Sequence, residues 1–149
     1  ELFRRIAVRP EIVAAVDGWM GEQDVSSLIG VQVRTWRDDP RRYRKYHLPA
    51  LRRLIALMEA APREARFLVV SDSDAVLPEL GARFGTERVL SYPRSTEREQ
   101  SWRTPVGIQE DLIDMLLLAR APRLFASYLS TFSEVAWWLG GTKARVAVF

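Results

Sequence analysis

Arg34 ends a short apolar run, Leu28-Ile29-Gly30-Val31, in which Gln32 and Arg34 alternate with Val31 and Val33. The run reads as a strand over 27–35, of the β-branched kind that is buried on both faces. Alternate residues of a strand share a side, so Gln32 and Arg34 come together near its carboxyl end, where open α/β sheets hold their ligands. A guanidinium placed there is an anion receptor, because its planar fork matches phosphate or carboxylate. An arginine that simply ends a strand and reaches solvent or a surface carboxylate has the same sequence. Two further clusters could join this chemistry: Ser71-Asp72-Ser73-Asp74, and the turn Ser127-Tyr128-Leu129-Ser130-Thr131. The Ser130 hydroxyl and the unpaired backbone N–H groups of a helix starting there would form a phosphate cradle. Both clusters also fit plain helix caps. Taken jointly, Arg34, the strand-end carboxylate Asp72 and a serine-led helix start suit a nucleotide diphosphate better than three unrelated caps.

Other chemistries find less support. His47 is the only histidine, and its place at the start of a predicted helix makes it a solvated surface residue. A Ser-His-Asp triad would need it beside Ser130 or Ser133, which the order of elements disfavours. Neither a GxGxxG nor a P-loop occurs. Asp38-Asp39 and the Asp72/Asp74 pair could hold a divalent ion, but such short acidic clusters are common and no metal site is assigned. The absence of cysteine excludes disulfides, thiolate metal sites and a Cys nucleophile, and leaves the compartment unread by redox chemistry.

At 149 residues the chain is one domain's worth, and 48% hydrophobic with 28% charged residues is ordinary for a soluble globular protein. No apolar run approaches the roughly 18 to 20 residues that cross a bilayer, and no signal peptide opens the chain. The start lacks a methionine and a cap, as in an excised fragment. Lys plus Arg exceed Asp plus Glu by 22 to 19, a formal charge of +3, and only Lys45 and Lys143 among the basic residues are lysines. The excess gathers at 41–45 and at Arg52-Arg53, directly after the motif strand. An arginine bias fits an anionic ligand, and it also fits a GC-rich genome. Nucleic acid is not expected as a partner, because aromatic residues do not interleave with the basic run as a stacking platform would.

The elements that must position these residues follow from periodicity. Residues 2–8 read as a strand remnant or the tail of a preceding element. Ile12, Val13, Val16, Trp19 and Met20 repeat at helical spacing over 10–21, with Pro10 well placed at the start. An arginine-rich loop containing Pro40 precedes a helix at 47–61, whose stripe is Leu48, Leu51, Leu54, Ile55 and Met58. A strand at 67–70, a helix at 75–84 and a short strand at 89–90 come next. The polar loop at 91–103 is long enough to be functional or mobile. Thr104 and Pro105 cap a helix running to 120, with Ile108, Leu112, Met115, Leu116 and Ala119 on one side and Glu110, Asp111 and Asp114 as its acidic groups. A strand at 123–126, a helix to 139 stopped by Gly140-Gly141, and a strand at 146–149 complete the chain. This alternation calls for a parallel sheet covered on both faces, and right-handed crossovers make it a Rossmann-like doubly wound α/β layer. Arg34, Asp72 and the 127–131 turn would then open onto one edge.

With the motifs in this order, residues 10–140 resemble the C-terminal, donor-binding half of a fucosyltransferase superfamily. It includes the nodulation and animal core α1,6-fucosyltransferases and, more distantly, the protein O-fucosyltransferases. The first motif, a strand ending GVHxR, reads here Gly30-Val31-Gln32-Val33-Arg34-Thr35-Trp36-Arg37-Asp38. The second, a strand closed by Thr-Asp-Asp, reads Val70-Ser71-Asp72-Ser73. The third, an Asp-led apolar helix running into a strand and a Thr-Phe-Ser-Ser turn, runs from Leu112-Ile113-Asp114 through Leu124-Phe125-Ala126 to Ser130 and on to Val135-Ala136.

The resemblance implies half of a GT-B glycosyltransferase: a single nucleotide-sugar-binding domain over 1–149, cut from a longer two-domain enzyme of bacterial, cytoplasmic type. It implies fucosyl transfer from GDP-fucose or a related nucleotide sugar to a glycan or protein acceptor, with inversion and with no metal or other cofactor. Arg34 would be the catalytic residue, holding the β-phosphate and steadying the departing GDP. Asp114 would bind the guanine edge and Asp72 would lie beside the donor. Ser130 would contact phosphate, and Gln32 and Thr131 would complete the substrate-binding set. The sequence departs from the pattern in three places. Gln32 replaces the motif histidine, and an amide can hydrogen-bond a base or ribose but cannot serve as an acid or base. Ser73 replaces the second aspartate, and Trp36-Arg37 stands where Thr-Asp is expected. Without its acceptor half the fragment would bind nucleotide and transfer nothing. Two rival readings are a non-catalytic nucleotide- or protein-binding α/β domain, and a metal-dependent α/β hydrolase built on Asp72.

Overall fold

The structure, a computed structural model, describes residues 6–149. Of the leading segment at 2–8, residues 2–5 lie outside the described residues, and 6–8 have no regular secondary structure. The central strand is β1 (Leu28–Val33), buried at every position. It pairs in parallel with β2 (Arg66–Ser71) on one side and β4 (Arg123–Ala126) on the other. Short β3 (Val89–Leu90) lies outside β2 and β5 (Arg145–Val148) outside β4, giving the order β3-β2-β1-β4-β5. The order reverses between β1 and β4, and the crevice at that reversal is where doubly wound sheets bind ligands. The Rossmann-like layer expected from the alternation is the one observed.

Strand alternation divides β1 between two cores. Ile29, Val31 and Val33 pack with Leu54 and Met58 of α3 (Leu48–Glu59) and with Val76 and Leu80 of α4 (Val76–Phe84). Leu28 packs on the opposite face with Ile12, Val16 and Met20 of α1 (Pro10–Gly21) and with Ile113, Leu117 and Leu118 of α5 (Pro105–Arg120). Ala136 of α6 (Thr131–Leu139) joins that second core. Gly30 lies in the close contact between β1 and α5. A Cβ there would stand 2.7 Å from Leu124 Cδ2 and 2.9 Å from Leu118 Cδ2, so glycine leaves these two leucine ends the space they fill.

Two stretches differ from the sequence reading. The segment expected as an arginine-rich loop is helical: α2 (Pro40–Arg42) opens it, a wider π-type turn spans Tyr43–His47, and α3 continues without a break. The cause is local, since the Asp39 carboxylate accepts from the N–H groups of Arg41 and Arg42 at 3.0 and 3.1 Å, with Pro40 in the first turn. Leu48, counted in the α3 stripe, is exposed, while Leu54 and Met58 are buried. In α5 the inward face is rotated from the expected one. Ile108 is exposed, and the buried set is Ile113, Leu117 and Leu118 together with Glu110 and Asp114. Burial of two carboxylates on a core-facing helix requires partners, and the 91–103 loop provides them.

Candidate functional site

β1 ends where Gln32 and Arg34 leave the sheet on the α5 side. The Ser127 hydroxyl ties this point to the end of β4, accepting from the Arg34 N–H at 2.8 Å and donating to the Gln32 carbonyl at 3.0 Å. Ser127, expected among the residues opening onto the edge, is therefore committed to holding the two strand ends together. Around this junction lies a hollow of about 410 Å³. Gln32, Arg34, Asp72, Asp114, Ser130 and Thr131 all line it, so the six residues singled out from the sequence come together. Its volume falls in the range of roughly 300 to 1,000 Å³ typical of small-ligand sites.

The Arg34 guanidinium is oriented by two contacts. Its Nη1 lies 2.9 Å from Asp72 Oδ2, and its Cζ stands 4.6 Å from the centroid of the Trp36 ring. The other Asp72 oxygen accepts from the Thr35 N–H at 2.8 Å. Asp72 thus braces the β1 loop and caps nothing. Asp74 is likewise taken up by loop contacts, accepting from the Arg98 N–H at 3.1 Å. Each carboxylate of the pair already faces a donor of this chain, and among the described residues no group of three or more His, Cys, Asp or Glu is placed to hold a metal ion.

Across the hollow, α6 begins at Ser130. Ser130 is nearly buried, yet its side chain makes no capping hydrogen bond. The cap reading predicts such a bond, and the first turn of the helix instead faces the hollow with uncapped N–H groups and their partial positive charge. Gln32 is similarly uncommitted: it is only 5% exposed, and its Oε1 has no partner within the protein. A buried carbonyl oxygen without a partner is costly, which marks this amide as a contact for something that enters the hollow.

The third wall is acidic and comes from α5. Asp114 is 1% exposed, and its Oδ2 accepts from Arg94 Nη1 at 2.7 Å and Arg98 Nη1 at 2.8 Å, while Oδ1 has no partner. Burial pushes the Asp114 carboxyl above its ordinary range, against the pull of the Arg98 and Arg94 guanidiniums. Arg94 also meets Asp111 at 2.8 Å, and Glu110 accepts from the Ser95 N–H at 2.6 Å and the Ser95 hydroxyl at 2.7 Å. The long polar loop is thus a built wall, containing a 3-10 turn at Arg98–Arg103. Charge in the hollow is divided. Arg34 and the α6 start offer a cationic end, and Asp114 with Asp111 offers an acceptor-rich end.

Sequence reasoning missed Trp36, Arg98, Ser101 and Asp111, which also line the hollow. A backbone signal sets off Trp36. It has φ +57°, as does Leu129 in the facing loop, and non-glycine residues in that region concentrate at functional sites. His47, expected at the surface, is buried beneath the Arg34 loop. Burial lowers the basicity of its imidazole, partly offset by the Arg34 backbone. Helical spacing points it inward, since His47 lies seven residues before Leu54 and eleven before Met58 and so shares the buried face of α3.

The fold and its hollow define a doubly wound α/β layer with a polar cleft at the topological switch point. Comparison with solved structures then specifies the layer: it is a fucosyltransferase-like fold of the GT-B kind. The fucosyltransferase NodZ from Bradyrhizobium is 32% identical over 92% of this chain, with a TM-score of 0.60. NodZ α1,6-fucosyltransferase co-crystallised with GDP is 29% identical over 92% of the chain, with a TM-score of 0.62. Arabidopsis thaliana FUT1 in complex with GDP, at 16% identity over 93% of the chain and a TM-score of 0.57, shares the fold. The chain spans 44% of the length of the NodZ chains and 32% of that of FUT1. No family profile matches the sequence, and a search of curated proteins found no match.

Proposed function

We propose that this chain is the donor-binding domain of a fucosyltransferase-like glycosyltransferase, part of a longer two-domain enzyme, using GDP-fucose or a related nucleotide sugar. The observation that carries the reading is that the Arg34 guanidinium and the uncapped Ser130-Thr131 helix start line one hollow at the switch point. In this reading Arg34 and the N–H groups at Ser130 and Thr131 grip the diphosphate. Asp114 Oδ1 accepts from the N–H edge of guanine, and Gln32 bonds the base or ribose. Asp72 keeps Arg34 aimed. NodZ structures have been determined with GDP and after soaking with GDP-fucose, which supports the same ligand class for the hollow.

The chemistry proposed is inverting transfer of the sugar to a glycan or protein acceptor without a metal. The bond from the anomeric carbon to the β-phosphate oxygen breaks as the acceptor oxygen bonds to that carbon from the opposite side. Negative charge then builds on the departing GDP, where a fixed guanidinium and helix N–H groups stabilise it more than they stabilise the ground state. The acceptor oxygen gives up its proton in the same step, to a base that belongs to the remainder of the enzyme. The chain alone therefore binds GDP and transfers nothing. A cytoplasmic location belongs to this proposal.

Calorimetric titration with GDP tests it. The unmodified chain binds, and Arg34→Ala lowers affinity about 30-fold or more, the equivalent of one charge-assisted bond of roughly 2 kcal/mol or greater. No heat of binding in the unmodified chain, or equal affinity in the variant, would refute the assignment.

A further inference from the structure

Trp36 separates the large hollow from two smaller ones. The first, of about 150 Å³, is lined by Arg34, Lys45, Arg53, Tyr46 and Tyr128 beside Trp36 itself. That is half the lower limit of roughly 300 Å³ for small-ligand pockets, room for a ring substituent and not for a nucleotide. Its charged side chains, Arg34, Lys45 and Arg53, are all cations. Arg34 is tied to Asp72 and Lys45 packs on the Tyr46 ring at 5.1 Å, but neither Lys45 nor Arg53 forms an ion pair among the described residues. Two cations without an ion pair around a cavity lined by no acidic side chain form an anion receptor.

The second small hollow, about 230 Å³, is bounded by Trp36, Tyr46, Tyr128, Leu129 and Arg42. The Trp36 and Tyr46 rings lie 6.5 Å apart, tilted by 49°, and Tyr128 and Leu129 are exposed at the rim. Aromatic faces with polar tips suit a ligand that is apolar on one face and hydroxylated at its edge, as a sugar ring is. The two hollows share Trp36, Tyr46 and Tyr128, and both meet the large hollow at Trp36. A ligand spanning them therefore lies next to Arg34. The Trp36 backbone is held at φ +57°, a conformation that non-glycine residues rarely adopt, with the Arg34 and Arg42 guanidiniums packed on its ring at 4.6 and 5.0 Å.

Resting on the donor assignment above, we propose that these two hollows form an acceptor subsite for an acidic sugar. The ring lies against Tyr46 and Tyr128 beside Trp36, and the carboxylate is held by Lys45 and Arg53. A donor bound in the large hollow would have its leaving group at the same partition.

The test is a titration of the chain, followed by NMR at the tryptophan indole N–H signals, with two disaccharides that differ by one carboxylate: cellobiouronic acid and cellobiose. The acid binds about tenfold tighter or more, as expected for one added charge-assisted contact, and the preference shrinks as salt is raised. The Lys45→Ala/Arg53→Ala double variant, altered only at exposed side chains, loses that preference and keeps its GDP affinity within about twofold. Equal binding of the two sugars, binding of neither, or an undiminished preference in the double variant would overturn the subsite. GDP titration is read separately. If GDP fails to bind while the sugar preference holds, the donor assignment falls and the acidic-sugar site stands.

Discussion

Replacing Asp114 by asparagine tests the most demanding electrostatic feature of the domain, two guanidiniums meeting on one buried carboxylate oxygen. Hydrogen bonds to charged groups contribute roughly 1.5–3 kcal/mol each and neutral ones roughly 0.5–1.5, so each of the two contacts loses about 1 kcal/mol when the acceptor becomes an amide. Relief from burying a carboxylate acts in the opposite direction. It outweighs the pull of the two guanidiniums on the carboxylate itself, which is why the Asp114 carboxyl lies above its ordinary range. What the variant loses is compensation for Arg94 and Arg98, whose side chains stay almost wholly buried and keep Asp111 at 2.8 Å, Asp74 at 3.4 Å and Glu110 at 3.5 Å as near counter-charges. The two effects nearly offset, so the expected change in stability is within about 1 kcal/mol in either direction, which for a chain of this size moves Tm by no more than roughly 2–4 °C. Urea and thermal unfolding at neutral pH, monitored by circular dichroism, measure it. A loss of about 2 kcal/mol or more, the sum of the two weakened contacts, would mean that attraction to both arginines outweighs desolvation of Asp114.

Two further outcomes follow from the same wall. The Glu110 carboxyl is held below its ordinary value of 4.5, burial opposing but the Thr96 and Ser95 donors and the Arg94 charge prevailing. Its stabilisation is therefore complete above that value and fades as pH falls through the lower folded-state pKa. Urea melts from roughly pH 5 down to pH 3 should show this fall, and Glu110→Gln should flatten it; an unchanged slope in the variant would remove Glu110 from the account. Gly107→Ala would place a Cβ 2.1 Å from the Ser101 carbonyl oxygen. Helix propensity alone predicts a gain of about 1 kcal/mol, whereas the clash predicts a loss of about 1–3 kcal/mol, so the sign measured by urea unfolding decides whether the 3-10 turn is docked on α5 as described.

The sheet and the gathering of Gln32, Arg34, Asp72 and the Ser130-Thr131 turn were legible because they depend on local pattern. An apolar run of two-sided burial gives β1, period-two alternation puts Gln32 beside Arg34, and parallel order brings all strand ends to one edge. The buried face of α5 was not legible. Glu110 and Asp114 read only as acidic groups lying off the apolar side of the helix, because their partners Arg94, Arg98 and the Ser95-Thr96 donors arrive from a loop whose path no periodicity encodes. His47 went astray for a different reason. Its register, seven residues before Leu54 and eleven before Met58, puts it on the buried face. The helix was expected to begin at 47, so that face was not extended to its first residue, although Asp39-Pro40 already marked an earlier helix start.

Gly30 touches nothing in the hollow, yet it bears on the packing behind one wall. A Cβ at position 30 would meet Leu124 Cδ2 at 2.7 Å and Leu118 Cδ2 at 2.9 Å, the second one helical turn beyond Asp114. Both are ends of flexible side chains, so alanine is taken up by turning two leucines, while a larger residue also presses on the Ala121 Cβ just past the end of α5. A disturbance here falls first on core side chains, and only added bulk carries it toward the cleft, without altering a single group that lines it.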